Sequence, residues 1–493
     1  MSRERDDFWQ RLSSLAIEQP EKTALEGDGQ ILSYRALVAE IDQRRQCLRT
    51  ARTTVVALIL DNSPNALLWD LAILLEGLSC VALPSFFSAS QRLHCLEQSQ
   101  ADLVIAEPAW HAELQAADYE VRGLFWRRTF HTAPALPKGT AKLTFTSGTT
   151  GTPKGVCLSA ESVLVVARTL YEASQPVGPG HHLTLLPLAI LLENIGCYAA
   201  LYAGACISLP SQAALGIQGA SGVDAPRLLS FLDQQRADSL ILVPQLLLLL
   251  VTAAEMGAFD ASMLRFVAVG GARVSVDLLL RAQALGFPVF EGYGLSECAS
   301  VVALNRPGER RTGSVGRPLP HIDVRLADDG EVLIGNVAML GYLGEPAPAS
   351  AWWATGDLGE FDTDGYLYLK GRKKHQFVTS FGRNVNPEWV EAELTQSGTI
   401  AQAFVYGEAL PHNHALLWPH RRETTNEQLA EAVAQANRSL PDYARVHGWT
   451  RLEQPFSPAN GLATANGRPR RDAILNHYRD HFLSSNTTEG ISS

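Results

Sequence analysis

The sequence predicts an α/β protein. Its large N-terminal domain consists of parallel sheets in repeated βα units and carries a small barrel-like β subdomain, and a small α+β domain closes the chain. Three observations predict this. At 493 residues the chain exceeds a working domain of roughly 150 several times over, so a single core is excluded. Short apolar runs alternate with helix-like segments through the first half and beyond. After Gly313 the texture turns to short strands separated by turns.

Taken in order, VVALIL (55–60), a helix over 66–78, CVALP (80–84), a helix over 91–98 and DLVIA (102–106) form the first βα series. SLILVP (239–244), a Leu-rich helix, FVAVGGA (266–272), a helix ending at Ala284 and PVFEGYG (288–294) repeat it, with glycines at strand ends. HIDVRL, DDGEVLI, GYL and FDTDGYLYLKGR then read as the β-rich piece, with Asp329-Gly330 and Asp364-Gly365 as hairpin turns. Helices over 387–394 and 427–439 belong to the last piece. The expected units are residues 1–372, including a β-rich subdomain over 313–372, then 373–485, then a tail over 486–493.

Composition narrows the function classes. With 46% hydrophobic and 19% charged residues, 39 Gly and 26 Pro, the chain is neither disordered, collagenous nor coiled coil. A net charge of -10 argues against a nucleic-acid or anionic-membrane binder. From Lys373 onward 12 Lys+Arg balance 12 Asp+Glu, so the whole negative excess lies before that point. Seven cysteines, odd in number and without a CxxC pair, fit reduced thiols. The acidic start MSRERDDFWQRL lacks a signal-peptide core, and the most apolar stretch, 240–254, is interrupted by Pro244 and Gln245 and is too short to span a bilayer. A cytoplasmic protein is expected. The histidine pairs His181/His182 and His412/His414 show no carboxylate or cysteine at metal-ligand spacing and read as surface or loop residues.

The strongest chemical signal is LTFTSGTTGTPKG (143–155). A strand-like lead-in runs into Thr146, Ser147, Gly148, Thr149, Thr150, Gly151 and Thr152, then Pro153 and Lys154. Glycines let backbone N–H groups approach a phosphate, hydroxyls add donors and the lysine supplies a compact cation. It is not a Walker loop, because Pro153 stands where that motif needs Gly.

With EGYGLSE (291–297), ATGDLG (354–359), YLKGRKKHQF (368–377) and GRNVNPEWVE (382–391) following in order, the chain resembles the adenylate-forming superfamily of acyl- and aryl-CoA synthetases, luciferases and peptide-synthetase adenylation domains. LPLAILLEN (186–194) resembles the long-chain acyl-CoA synthetase branch. The resemblance implies an AMP-forming ligase using ATP and Mg2+. Lys154, Glu297 and Arg468 would be catalytic, with Glu297 holding the metal. Gly270, Gly271, Ala272, Gly292, Tyr293, Gly294 and Ser296 would receive the nucleotide, Asp357 its ribose, and Arg372 would contact it. Lys374 would be the hinge of a mobile C-terminal domain, and Gly382 would line the acceptor tunnel. Ile190 and Leu191, with Gly270 and Gly294, would wall the acyl pocket.

The pattern breaks in two places. NGRPRR (466–471) puts Arg468 where the family has a lysine, and no lysine follows Lys374. A planar fork is not a rotatable point donor, so Arg468 performs the adenylation role less well, another group substitutes, or the first half-reaction is impaired or bypassed. Ile190 replaces the histidine of the long-chain branch, and Leu191 stands where amino-acid-activating relatives have an aspartate; burying an unpaired ammonium would cost several kcal/mol, so a hydrophobic aliphatic or aryl carboxylic acid is expected. Glu193 could still meet a polar substituent, though a structural role is the simpler expectation. CoA, a carrier-protein phosphopantetheine, or an amine remains open as acceptor, and a non-catalytic nucleotide-binding relative is the alternative class.

Overall fold

A computed structural model describes residues 3–132, 134–147, 153–218, 222–381, 383–464 and 467–478. Ser63 and Pro64 start the first buried helix: the Ser63 hydroxyl accepts from the Ala66 amide, and Pro64 sits where no intrahelical N–H is needed. The helix therefore runs Pro64–Glu76, two residues earlier than its apolar pattern suggests, and nearly all of it is buried because it lies between layers. The next helix, Ala89–Ser99, also begins earlier than expected, at a capping box made by Ser88 and Gln91.

Among the described residues the large unit is built on two sheets. One has nine strands; its middle runs Val289–Tyr293, Phe266–Val269, Ser239–Leu242, His181–Leu183, Cys206–Ser208 and Thr23–Gly27, all parallel. The other has eight, with Thr140–Ser147, Ser79–Ala82, Val55–Ile59 and Leu103–Ala106 parallel at its centre and Pro153–Ser159 antiparallel beside Thr140–Ser147. The expected βα series are both present.

The β-rich piece forms an antiparallel sheet of Asp323–Leu326, Glu331–Gly335, Trp352–Phe361 and Leu367–Arg372. Gly330 (φ +83°) and Gly365 (φ +79°) occupy the left-handed positions of its turns, which explains the Asp-Gly pairs. One strand of this stretch goes elsewhere. Met339–Tyr342, the GYL strand, pairs antiparallel with Pro153–Ser159 and becomes an edge of the eight-stranded sheet.

The last piece packs Pro387–Leu394 and Asn426–Ser439 on a sheet of Ile400–Tyr406, Asn413–Pro419 and Val446–Arg451 around its own core. Between the two large sheets lies a buried charge pair. Lys142 meets Asp70, whose other oxygen accepts from Asn194 (2.9 Å) and Tyr198. Burial raises the Asp70 pKa, but Lys142 and these donors outweigh it and hold the group ionised, below its ordinary value.

Two expectations about histidines are overturned. His182 is buried, with Nε2 2.9 Å from Glu193 Oε1 and Nδ1 3.2 Å from Ser239 Oγ; His181 Nε2 lies 2.7 Å from Ser208 Oγ and 3.4 Å from Glu26 Oε1. Both sit on a parallel strand whose neighbours come from distant segments, so their partners are invisible in local spacing. Glu193 is fully buried and also accepts from the Leu186 amide, which makes it structural.

Candidate active site

A cleft of about 2180 Å³ opens among the two large sheets, the β-rich sheet and the C-terminal piece, and, Ser147 apart, the predicted residues within the described stretches line it. Thr146 lies one residue from the end of the strand Thr140–Ser147, and its hydroxyl is 3.4 Å from the Lys154 carbonyl oxygen on the returning strand. Ser147 closes that strand. Gly148, Thr149, Thr150, Gly151, Thr152 and Gly382 lie outside the described residues.

Lys154 and Glu297 reach the same wall. Tyr342 links them: its hydroxyl donates to Glu297 Oε1 (2.7 Å), and the Lys154 ammonium lies 5.2 Å from its ring centroid. Lys154 also pairs with Glu345 at 3.2 Å. Burial and the adjacent Glu297 push the Tyr342 pKa up, so the phenol stays a proton donor. A half-buried carboxylate beside an ammonium suits a magnesium-bound triphosphate, because Mg2+ prefers hard oxygen ligands.

The nucleotide candidates lie along the ends of neighbouring strands. Gly270 and Gly271 follow Phe266–Val269 with Ala272, and Gly292 and Tyr293 end Val289–Tyr293. A Cβ on Gly294 would stand 1.6 Å from the Ser300 carbonyl oxygen, so the turn that presents Ser296 and Glu297 closes only over glycine. Tyr293 is buried and donates to Asp357 Oδ2 (2.6 Å), while Arg372 Nε holds Asp357 Oδ1 at 2.9 Å. Burial raises the Asp357 pKa, opposed by Arg372 and the Tyr293 hydroxyl. Arg372 is itself braced on the Thr355 carbonyl at 3.0 Å.

Arg468 comes from the opposite side. Its Nη2 donates to the Gly271 carbonyl at 2.8 Å, and its loop is tied by Thr464 N to Arg468 O (2.8 Å). The guanidinium is accessible from the cleft but walled in by protein, and this enclosure lowers its pKa; Arg372 adds to the effect while Glu388 and Asp357 oppose it. Lys374 is exposed in the turn between Leu367–Arg372 and Phe377–Val378, at the join of the two units.

Deeper in the cleft Ile190 caps the helix Leu191–Ala203, and Leu191, Ile241 and Phe266 supply apolar wall. Glu193 does not line the cleft; it is fully buried and engaged by His182 and the Leu186 amide.

Sequence reasoning missed Tyr342, Glu345 and Glu291. Tyr342 and Glu345 reach Lys154 through pairing of strands far apart in the chain, which no local motif announces. Glu291 is buried in the EGYG strand; burial pushes its pKa up to about 8 against the opposing effects of Arg273 and the Val274 amide, and its Oε2 has no hydrogen-bond partner among the described residues.

Residues 14–343 match the AMP-binding enzyme family and residues 374–483 its C-terminal domain. The chain belongs to the AMP-binding enzyme family. It lies in the adenylate-forming superfamily, near the acyl-CoA synthetases. The long-chain-fatty-acid–CoA ligase FadD15 of Mycobacterium bovis is 28% identical over 520 aligned positions, covering 83% of this chain and 84% of the relative. Among solved structures, the anthranilate CoA ligase AuaEII in complex with anthranoyl-AMP superposes with a TM-score of 0.79 at 19% identity, covering 95% of this chain and 96% of that one. The amide bond synthetase McbA from Marinactinospora thermotolerans gives 0.74 at 21% identity, covering 96% and 99%. Among the described residues no helix is long and apolar enough to cross a membrane.

Proposed function

We propose that this ATP-dependent, AMP-forming acid ligase activates a hydrophobic aliphatic or aryl carboxylic acid and passes its acyl group to a thiol, that of CoA or of a carrier-protein phosphopantetheine. The observation that carries the reading is the Lys154–Tyr342–Glu297 chain on one wall of the cleft, faced by Arg468 from the C-terminal piece.

The acid's carboxylate oxygen attacks the α-phosphorus of ATP, the bond to the β-phosphate oxygen breaks, and pyrophosphate departs with the electron pair. The thiol sulfur then attacks the acyl carbon, its proton is lost, and AMP leaves. Lys154 and Arg468 place positive charge where triphosphate charge builds up, so catalysis comes mostly from positioning and charge neutralisation. Mg2+, held by Glu297, would neutralise the phosphates further. Asp357, fixed by Tyr293 and Arg372, presents carboxylate oxygens to the ribose hydroxyls. Turning about Lys374 after the first step would withdraw Arg468 and admit the acceptor.

Apolar Ile190 and Leu191, with Glu193 already committed, favour an acid without an ammonium group. A thiol is favoured over an amine because the sequence relative FadD15 is named a CoA ligase. The test is pyrophosphate release from MgATP across a panel of aliphatic and aryl acids, followed by product analysis with CoA, a phosphopantetheinylated carrier and simple amines. Release with hydrophobic acids and a thioester product are expected. ATP binding without release for any acid would overturn the reading, and an amide product would replace the acceptor.

A further inference from the structure

Glu345 stands just past the strand Met339–Tyr342, which pairs with the strand carrying Lys154 in the register Tyr342–Val156. The Leu343 amide donates to the Gly155 carbonyl (2.8 Å) and the Glu345 amide to the Tyr342 carbonyl (3.0 Å), so a backbone turn aims the carboxylate back across the sheet edge. There Glu345 Oε1 lies 3.2 Å from the Lys154 ammonium, which also rests near the Tyr342 ring. The acid thus holds the cation at the start of the strand that follows the hydroxyl-rich segment in sequence.

The physics of the pair matters. The two side chains are 55% and 50% exposed, so the bond is screened by water and contributes little to stability. A weak pair is easily exchanged. A polyphosphate bearing several charges outcompetes one carboxylate for the same ammonium, but it must first displace it.

We propose that Glu345 is an internal counter-ion that occupies Lys154 until nucleotide enters, and that it thereby sets the protein's affinity for ATP. This rests on the reading of Lys154 as a phosphate-binding cation. Glu345 touches neither acid nor acceptor in this scheme. It is a positioning residue acting through Lys154, and its removal changes ground-state nucleotide binding rather than the chemical step.

The test is Glu345→Gln, with Glu345→Ala as a second variant. Exchanging an exposed ion pair is expected to lower the KM for ATP by about 1.5- to fivefold with kcat unchanged, and the gain should shrink as salt rises. Calorimetric titration of ATP into the acid-free protein should show the same shift without any turnover. A raised KM or weaker binding would mean that Glu345 orients Lys154 for phosphate, and would overturn the proposal. The same substitution in a Lys154→Gln background should have no effect. A shift that persists there marks long-range repulsion from Glu345 and also overturns it. If Lys154→Gln itself binds ATP as tightly as the parent, the reading of Lys154 fails. If the parent binds ATP but releases no pyrophosphate with any acid, the functional reading fails and the titrations still decide this one.

Discussion

Replacing Arg468 by alanine is expected to slow formation of the acyl adenylate while sparing the second half-reaction. Around this guanidinium the structure gathers Arg372, Asp357 and Glu388, two acids against two arginines, so deleting Arg468 leaves a net negative site facing an incoming polyphosphate. A charged donor aimed at developing phosphate charge is worth about 3 kcal/mol, which corresponds to roughly 10²-fold in rate. Lysine retains the charge but loses the fork that reaches the Gly271 carbonyl, so Arg468→Lys is expected to stay within about tenfold of the parent. Single-turnover formation of acyl adenylate from MgATP and acid measures the first step; chemically prepared acyl adenylate with thiol measures the second, where Arg468→Ala is expected to change little. Parental adenylation rates in both variants would refute the role given to Arg468.

Glu291 supplies a pH prediction. Its pKa is raised from 4.5 to about 8 in the fold, so between these values the folded state holds a proton that the unfolded chain has lost; the contribution of this group to stability is greatest below 4.5 and is lost as pH rises to about 8. Glu291→Gln should flatten that decline, raising Tm at pH 8 relative to the parent and leaving it unchanged near pH 4, and parallel melting curves at both pH values would contradict it. Gly294→Ala should abolish ATP binding in calorimetry or cost several kcal/mol in denaturant unfolding, since its methyl would stand 1.6 Å from the Ser300 carbonyl oxygen; a stable variant that still binds ATP would show that the turn yields. Lys142→Met strands Asp70 as a buried charge and should lower stability by about 3–5 kcal/mol, whereas Lys142→Met with Asp70→Leu should recover much of the loss. An equal loss in single and double variants, read by denaturant unfolding, would show that the pair is not the cause.

Much of this arrangement was legible along the chain. Parallel strands buried on both faces read as continuous apolar runs, so the stretches around Val55–Ile59 and Phe266–Val269 announced themselves, as did the Asp-Gly turns. Lys154 could be picked out from the glycine- and hydroxyl-rich run before it, whereas Glu297, Asp357 and Arg468 could be picked out only because their motifs resemble those of the adenylate-forming superfamily. The contacts that organise the site were not legible. His182 finds Glu193 because a helix folds back onto its strand, and Lys154 finds Glu345 because residues nearly two hundred positions apart pair at a sheet edge. Such meetings are set by topology, which residue spacing does not encode. Helix starts fell in between: the Ser63-Pro64 signal was present in the text, but the apolar pattern alone placed the boundary two residues late.

The edge position of Met339–Tyr342 has a practical consequence for anyone recombining relatives of this protein. A chimera cut at the visible seams of the small sheet would carry a foreign ribbon into the large one, and with it the phenol and the acid that flank the lysine. Such grafts would inherit altered nucleotide handling along with the transplanted block, so crossover points belong on either side of that ribbon.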